Sequence, residues 1–335
     1  MEFDLIARIR ARVATRDDVV LGIGDDAALV VVPSGRQLAV AMDTLNAGVH
    51  FPHDTRAADI GWKALAVNLS DLAAMGARPA WCTLSLSLPD ADMSWIDAFL
   101  DGFLALAALH DVALIGGDTT RGPLSVCVTV HGFIEPGRAL RRDGARRGDD
   151  VWVSGTLGDA AAGLDHLVAI DAAAPTDGDA GAVRMQADPD ARAFLRGRLD
   201  RPMPRVALGR ALIGIATACI DVSDGLLADL AHVARASDVH VEIDVDGLPV
   251  SAALRACRDA EDRRALQATG GDDYELCFTA PPALRGAIEA VAIAAATPVT
   301  RIGVVRAGAG VAAIDGAGQT WQSIRHGYQH FDPVT

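Results

Sequence analysis

Gly22-Ile23-Gly24-Asp25-Asp26 follows one apolar run, Val19-Val20-Leu21, and leads into another, Ala27-Ala28-Leu29-Val30-Val31-Val32. Two glycines let the backbone turn tightly or pass close to a ligand. Two adjacent carboxylates then stand where a hydrophobic strand would otherwise continue. Isolated carboxylates beside apolar strands are costly unless paired or bound to a metal. The same grammar recurs in Ala41-Met42-Asp43-Thr44, Asn68-Leu69-Ser70-Asp71, Gly116-Gly117-Asp118-Thr119-Thr120, Asp221-Val222-Ser223-Asp224-Gly225 and Gly270-Gly271-Asp272-Asp273. A chain that keeps ending apolar strands in Asp is expected to assemble a hard-cation site from distant pieces.

At 335 residues the chain exceeds one ordinary core, so two domains are expected. Its net charge of -14 argues against a nucleic-acid or anionic-membrane partner. If the ligand is a phosphate, so acidic a protein needs divalent cations to hold it. Cys82, Cys127, Cys219, Cys257 and Cys277 are scattered without a CxxC pair. They read as small core residues in a reducing compartment, which points to the cytoplasm and away from a zinc site. The N-terminus has the pattern of an amphipathic helix rather than a signal peptide, and no apolar run reaches the roughly 18 residues of a membrane span.

Phe3, Ile6, Ile9 and Val13 recur at helical spacing and predict a helix over 2–15. Short strands are expected over 19–24, 27–32 and 38–42, and a long Ala-rich helix over 57–76. The alternation Trp81–Leu88 predicts a strand, followed by a helix over 93–110 and strands at 112–115 and 124–134. Residues 135–150 mix Gly, Arg and Asp and mark the boundary, giving domains 1–148 and 149–335. In the second, strands are expected at 151–153, 218–222, 239–243, 274–279 and 299–305, with helices over 158–170, 204–217, 225–236 and 282–295. Residues 171–193 read as a surface insert. Strands adjoin strands in the first half, which favours an α+β arrangement.

Several nucleotide sites are excluded. Lys63, the single lysine, does not sit in a Walker A loop, no GxGxxG opens a helix after a strand, and no GxSxG or HExxH occurs. Asp25 and Asp26 either shape a turn through Asx hydrogen bonds or bind a ligand. Asp71 lies in an otherwise apolar helix, with Asn68 one turn earlier on the same face, and a lone Asp there needs a partner. Gly116–Thr120 reads as a turn after a buried strand, its glycines allowing close approach and its Asp118 able to hold a metal. Ser223 or Asp224 could cap the following helix, whereas Asp221 is not needed for capping. His50 and His53 flank Pro52 in a loop, Arg141 and Arg142 form either a phosphate clamp or a solvated face, and Tyr328 has packing as its simplest role.

Taken together the motifs resemble the thiamine-monophosphate kinase family. The resemblance rests on Gly22–Asp26, Asp43-Thr44-Leu45 with Gly48–Phe51, Lys63–Gly76, Gly116–Thr120, Ser154–Asp159, Asp221–Gly225 and Gly270–Leu276, in order over nearly the whole chain. It implies the two-domain fold of the superfamily that includes aminoimidazole ribonucleotide synthetase, with a ferredoxin-like first domain, an α+β second domain and homodimers paired through first-domain strands. The implied reaction converts ATP and thiamine monophosphate to ADP and thiamine diphosphate, with several magnesium ions. Carried over, Asp26, Asp43, Asp71, Asp118, Asp221 and Asp224 are magnesium ligands, joined by the backbone of Met42. Gly117, Asp118, Arg142 and Ser223 contact ATP, and His50, Asp272 and Tyr328 lie at the thiamine phosphate. Two departures stand out: Ala41 and Met42 replace the family's hydroxyl residues, and Asp272 replaces its usual Glu. No side-chain nucleophile is required, because the substrate phosphate oxygen attacks directly. The alternatives are another ATP-dependent synthetase of the superfamily and an inactive metal- or nucleotide-binding dimer.

Overall fold

The computed structural model describes residues 2–172 and 188–323. In chain order its elements are α1 (Glu2–Arg12), β1 (Val19–Leu21), β2 (Leu29–Val30), β3 (Gln37–Asn46), α2 (Ala57–Ala74), β4 (Arg78–Leu88), α3 (Met93–Leu109), β5 (Ala113–Arg121) and β6 (Ser125–Ile134). They continue with β7 (Asp150–Ser154), α4 (Asp159–Ala172), α5 (Pro189–Asp200), α6 (Val206–Ala211), β8 (Ala218–Val222), α7 (Leu226–Ser237) and β9 (His240–Asp244). The last are α8 (Ala252–Cys257), α9 (Ala260–Thr269), β10 (Glu275–Ala280), α10 (Arg285–Ala294), β11 (Val299–Arg306), β12 (Gly310–Ile314) and β13 (Thr320–Trp321). This is the expected α+β class. The chain forms two compact units, Met1–Ala139 with Met203–Ile213, and Leu140–Pro202 with Gly214–Thr335. The return of 203–213 to the first unit, where α6 packs on α2, is not anticipated by a single boundary at 148/149.

The first unit is built on a four-stranded sheet of order β3-β6-β4-β5, antiparallel except for the parallel pair β4/β5 that α3 connects. Its element order is β-α-β-α-β-β, not the β-α-β-β-α-β of a ferredoxin-like unit. One face carries Val126, Val128, Val130, Leu84 and Leu86, all buried under α2 and α3. Alternation sends Cys127, Thr129, Thr83 and Ser85 to the other face. On that face the β1/β2 hairpin packs through Val19, Ala28 and Val30 against Trp81, Ala113 and Ile115. The Trp81 indole donates to Asp18 at 3.0 Å and meets Phe133 edge-on at 5.0 Å, which pins the hairpin to the sheet.

The second unit carries a seven-stranded sheet of order β13-β12-β9-β11-β7-β10-β8, antiparallel except for β12/β9. The neighbouring strands β7, β10 and β8, at one end of this sheet, are buried along their whole length. No described helix is long and apolar enough to cross a membrane.

Candidate active site

The first unit places its carboxylates in three groups. Asp26 lies in the exposed loop of the β1/β2 hairpin, and the Asp26 N–H donates to Asp25 Oδ1 at 2.9 Å. Asp25 therefore shapes the turn. Asp43 and Asp71 are brought together by Asn68. This fully buried side chain accepts the Asp43 N–H at 2.8 Å, donates to the Ala64 carbonyl at 2.9 Å, and sits one helical turn before Asp71. Asp118 stands apart. Gly116–Thr120, read from the sequence as a turn, continues β5 as strand, paired in parallel with Thr83–Ser87. Gly117 serves packing: it has φ +151°, and a Cβ on it would come within 1.8 Å of the Leu84 carbonyl. Asp118 pairs with Ser85, which pairs with Cys127, which pairs with Thr44. So Asp43 and Asp118 point to opposite faces of the sheet. They also occupy its two opposite edges, about 14 Å apart at three strand spacings.

His50 follows β3. Its Nδ1 accepts the Asn46 N–H at 3.0 Å, so the neutral ring carries its proton on Nε2. The His50 carbonyl accepts from Lys63 Nζ at 2.9 Å, and this lysine, 1% exposed on α2, gives the loop a charged anchor.

In the second unit, Asp221 ends the buried strand β8, is 4% exposed, and pairs with Leu276 of β10. Ser223 and Asp224 follow, but neither side chain caps α7. Its N-cap is Gly225, with no side-chain cap, and Asp229 of the first turn reaches back to the loop before it. Asp229 Oδ2 accepts the N–H groups of Ser223, Asp224 and Gly225 at 3.0, 3.2 and 3.2 Å. Asp229 thus fixes the loop that leads into α7, while the N–H groups of Leu226, Leu227 and Ala228 in the first turn are not among the donors it takes. Burial, then the neighbouring Asp221 and Asp224, push the Asp229 carboxyl up to about 7. Sequence reasoning missed Asp229; the spacing Asp224 to Asp229 was the available signal.

The turn Gly270–Tyr274 locks onto the same loop. The Asp272 N–H donates to the Ser223 carbonyl and the Tyr274 N–H to the Val222 carbonyl, both at 2.8 Å. This brings Asp272 beside Asp221, Ser223 and Asp224. The Tyr274 hydroxyl donates to Asp272 Oδ1 at 3.1 Å and orients it. Arg142 is exposed, on a segment whose neighbour Arg141 accepts the Cys219 N–H at 2.9 Å, alongside the start of β8. Tyr328 lies outside the described residues.

Among the described residues no three His, Cys, Asp or Glu side chains come together with the spacing of a metal centre. The donor set is nevertheless all oxygen, as magnesium requires, and Asp221, Asp224 and Asp229 stand close together on one loop and helix start. The residues therefore fit magnesium in the chemistry of their donors.

Both parts of the chain resemble known proteins. Residues 24–134 match the family of AIR synthase related proteins, N-terminal domain, and residues 146–316 its C-terminal domain. Thiamine-monophosphate kinase of Salmonella typhimurium is 48% identical over 309 residues, covering 91% of this chain and 90% of that one. The crystal structure of thiamine-monophosphate kinase from Stenotrophomonas maltophilia superposes with a TM-score of 0.85 at 56% identity, covering 96% of this chain and 98% of that one. A structure described as AaThiL complexed with AMPPCP and TMP superposes with a TM-score of 0.75 at 31% identity, covering 98% and 96%. Placed by these likenesses along its whole length, and by the carboxylate turns it carries in order, the chain belongs to the thiamine-monophosphate kinase family.

Proposed function

We propose that this chain transfers the γ-phosphate of ATP directly to the phosphate of thiamine monophosphate, with magnesium ions, giving thiamine diphosphate and ADP. The observation that carries this reading is its likeness over 98% of its length to a protein holding an ATP analogue and TMP together. Asp26, Asp43, Asp71, Asp118, Asp221 and Asp224 would hold the magnesium, with the Met42 backbone beside them. Bound magnesium offsets the repulsion between two sets of phosphate charges. The chain's own side chains then bind and orient. Gly117, Asp118, Arg142 and Ser223 are assigned to ATP, and His50, through Nε2–H, with Asp272 and Tyr328, to thiamine monophosphate. With the carboxylates given to magnesium, the attacking group in this reading is the substrate's own phosphate oxygen. Incubation with ATP, magnesium and thiamine monophosphate is expected to yield thiamine diphosphate; ATP hydrolysis without transfer would refute the assignment.

The working form we propose is a homodimer. β3 is a sheet edge, and Leu38, Val40 and Met42 on one of its faces are 42, 57 and 61% exposed. Val20, Leu29, Val31 and Val32 of the hairpin region extend the apolar surface, which is large for a monomer to leave in water. With about 14 Å of sheet between Asp43 and Asp118, an ion shared by the two would need two copies. The described cysteines are all unpaired, as a reducing cytoplasm would leave them.

A further inference from the structure

A buried cluster in the second unit lies behind the proposed substrate residues. It joins Ser154 and Thr156 after β7, Asp159 opening α4, Arg198 on α5, Ser251 before α8, and Asp273 with Glu275 at the start of β10. Asp159 and Glu275 are fully buried and Asp273 is 1% exposed. Arg198 Nη2 donates to Glu275 Oε1 at 2.9 Å and to the carbonyls of Thr156 and Asp273 at 3.4 Å, while its Nε lies 3.8 Å from Asp159 Oδ2. Glu275 Oε2 accepts from Ser154 Oγ at 2.5 Å, and Asp159 accepts from Thr156 Oγ1 at 2.5 Å and Ser251 Oγ at 2.6 Å. Asp273 Oδ2 accepts the Gly158 N–H at 2.7 Å.

The cluster closes on a strained piece of backbone. Asp272 and Tyr274 have φ of +68° and +50°, a left-handed conformation that non-glycine residues keep only where their surroundings enforce it. On one side the turn is tied to Val222 and Ser223 through backbone bonds. On the other, Arg198 takes the carbonyl of Asp273, the residue between the two strained positions, and the carboxylate of Glu275 just beyond. A single guanidinium nitrogen, Nη2, serves three acceptors on two chain segments from a position that the shorter lysine side chain does not reach.

We propose that Arg198 is a positioning residue for thiamine monophosphate: through Asp273 and Glu275 it holds the left-handed turn from which Asp272 meets the substrate. This rests on the assignment of Asp272 to thiamine monophosphate made above. Arg198→Lys keeps the charge but loses the reach. Arg198→Met with Glu275→Gln removes the ion pair together and leaves Asp159 to the Thr156 and Ser251 hydroxyls and Asp273 to the Gly158 N–H, should the single Met variant fail to fold. Both are compared with wild type and Asp272→Ala by steady-state kinetics, and by hydrogen–deuterium exchange of the peptide covering 270–274. The expected result for both Arg198 variants is a KM for thiamine monophosphate raised at least tenfold, a KM for ATP changed less than threefold, and faster exchange in 270–274. Unchanged KM and exchange in folded Arg198 variants, with Asp272→Ala impaired, overturns the proposal while the substrate assignment stands. A proportional loss of kcat and both KM effects with melting temperature also overturns it, since that is a purely structural role. Normal kinetics in Asp272→Ala removes the underlying assignment, and this proposal with it.

Discussion

Val40→Asp tests whether the active form needs two copies. Val40 is 57% exposed on the edge strand β3, between Leu38 and Met42 on the same face. Full burial of a valine is worth about 2 kcal/mol, so covering the exposed part gives roughly 1 kcal/mol per copy and about 2 for a symmetric pair. An aspartate there forfeits that gain and places two carboxylates in an apolar interface, each costing at least about 2 kcal/mol. The sum, about 6 kcal/mol, weakens the dimer roughly ten-thousand-fold. Because Val40 is exposed in the single chain, the fold should survive, with a change within about 0.5 kcal/mol. Sedimentation velocity at micromolar protein is expected to show a monomer, and the kinase assay to show most turnover lost. A monomer with wild-type kcat would refute the reasoning, because the site would then be complete in one chain. A persistent dimer would show that β3 is not the interface.

Further outcomes follow from the second unit. Burial is the main cause that pushes the Asp273 carboxyl up to about 8, well above its unfolded value. The protonated form is thus favoured on folding, so its contribution is complete below about pH 4 and is lost as pH rises through about 8. Asp273→Asn should remove that loss, and melting curves from pH 5 to 9 should fall for wild type relative to the variant; parallel curves would contradict it. Gly155, with φ +59°, has no room for a methyl group, since a Cβ would lie 2.1 Å from Glu275 Oε1. Gly155→Ala is expected to cost more than about 3 kcal/mol in denaturant unfolding, combining left-handed strain with the clash. Asp229→Ala strands three backbone donors and is expected to cost about 3 kcal/mol and raise the magnesium needed for half-maximal rate. Asp229→Asn, whose amide oxygen can accept the same bonds, should retain activity.

Much of the fold is legible locally. The helices α2 and α3 and the strands β4, β8 and β10 announce themselves by burial pattern, because each is covered by neighbours on a predictable face. Where the reading departs, longer-range contacts decide. Gly116–Thr120 looks like a turn by composition, yet β4 supplies a parallel partner that extends it as strand. The helix expected over 204–217 is only Val206–Ala211. The opposite error occurs at α5: Asp188 and Pro189 start a helix in the N-cap and first-turn positions, within a segment whose composition reads as loop. The helices α8 and α9 and the strands β12 and β13 are likewise beyond what the sequence reading expects. At the site, the Asp-bearing turns were visible as sequence. Their supports were not, because Asn68, Asp229 and Arg198 act on backbone groups that only the fold brings near.

The most direct measurement uses ATP labelled in its γ-phosphate, thiamine monophosphate and the purified protein, with magnesium or with excess chelator. The account predicts that label moves into thiamine diphosphate one for one with ADP, that none remains on the protein, and that chelator abolishes transfer. ADP formed without thiamine diphosphate, label trapped on the chain, or undiminished transfer in chelator would contradict it.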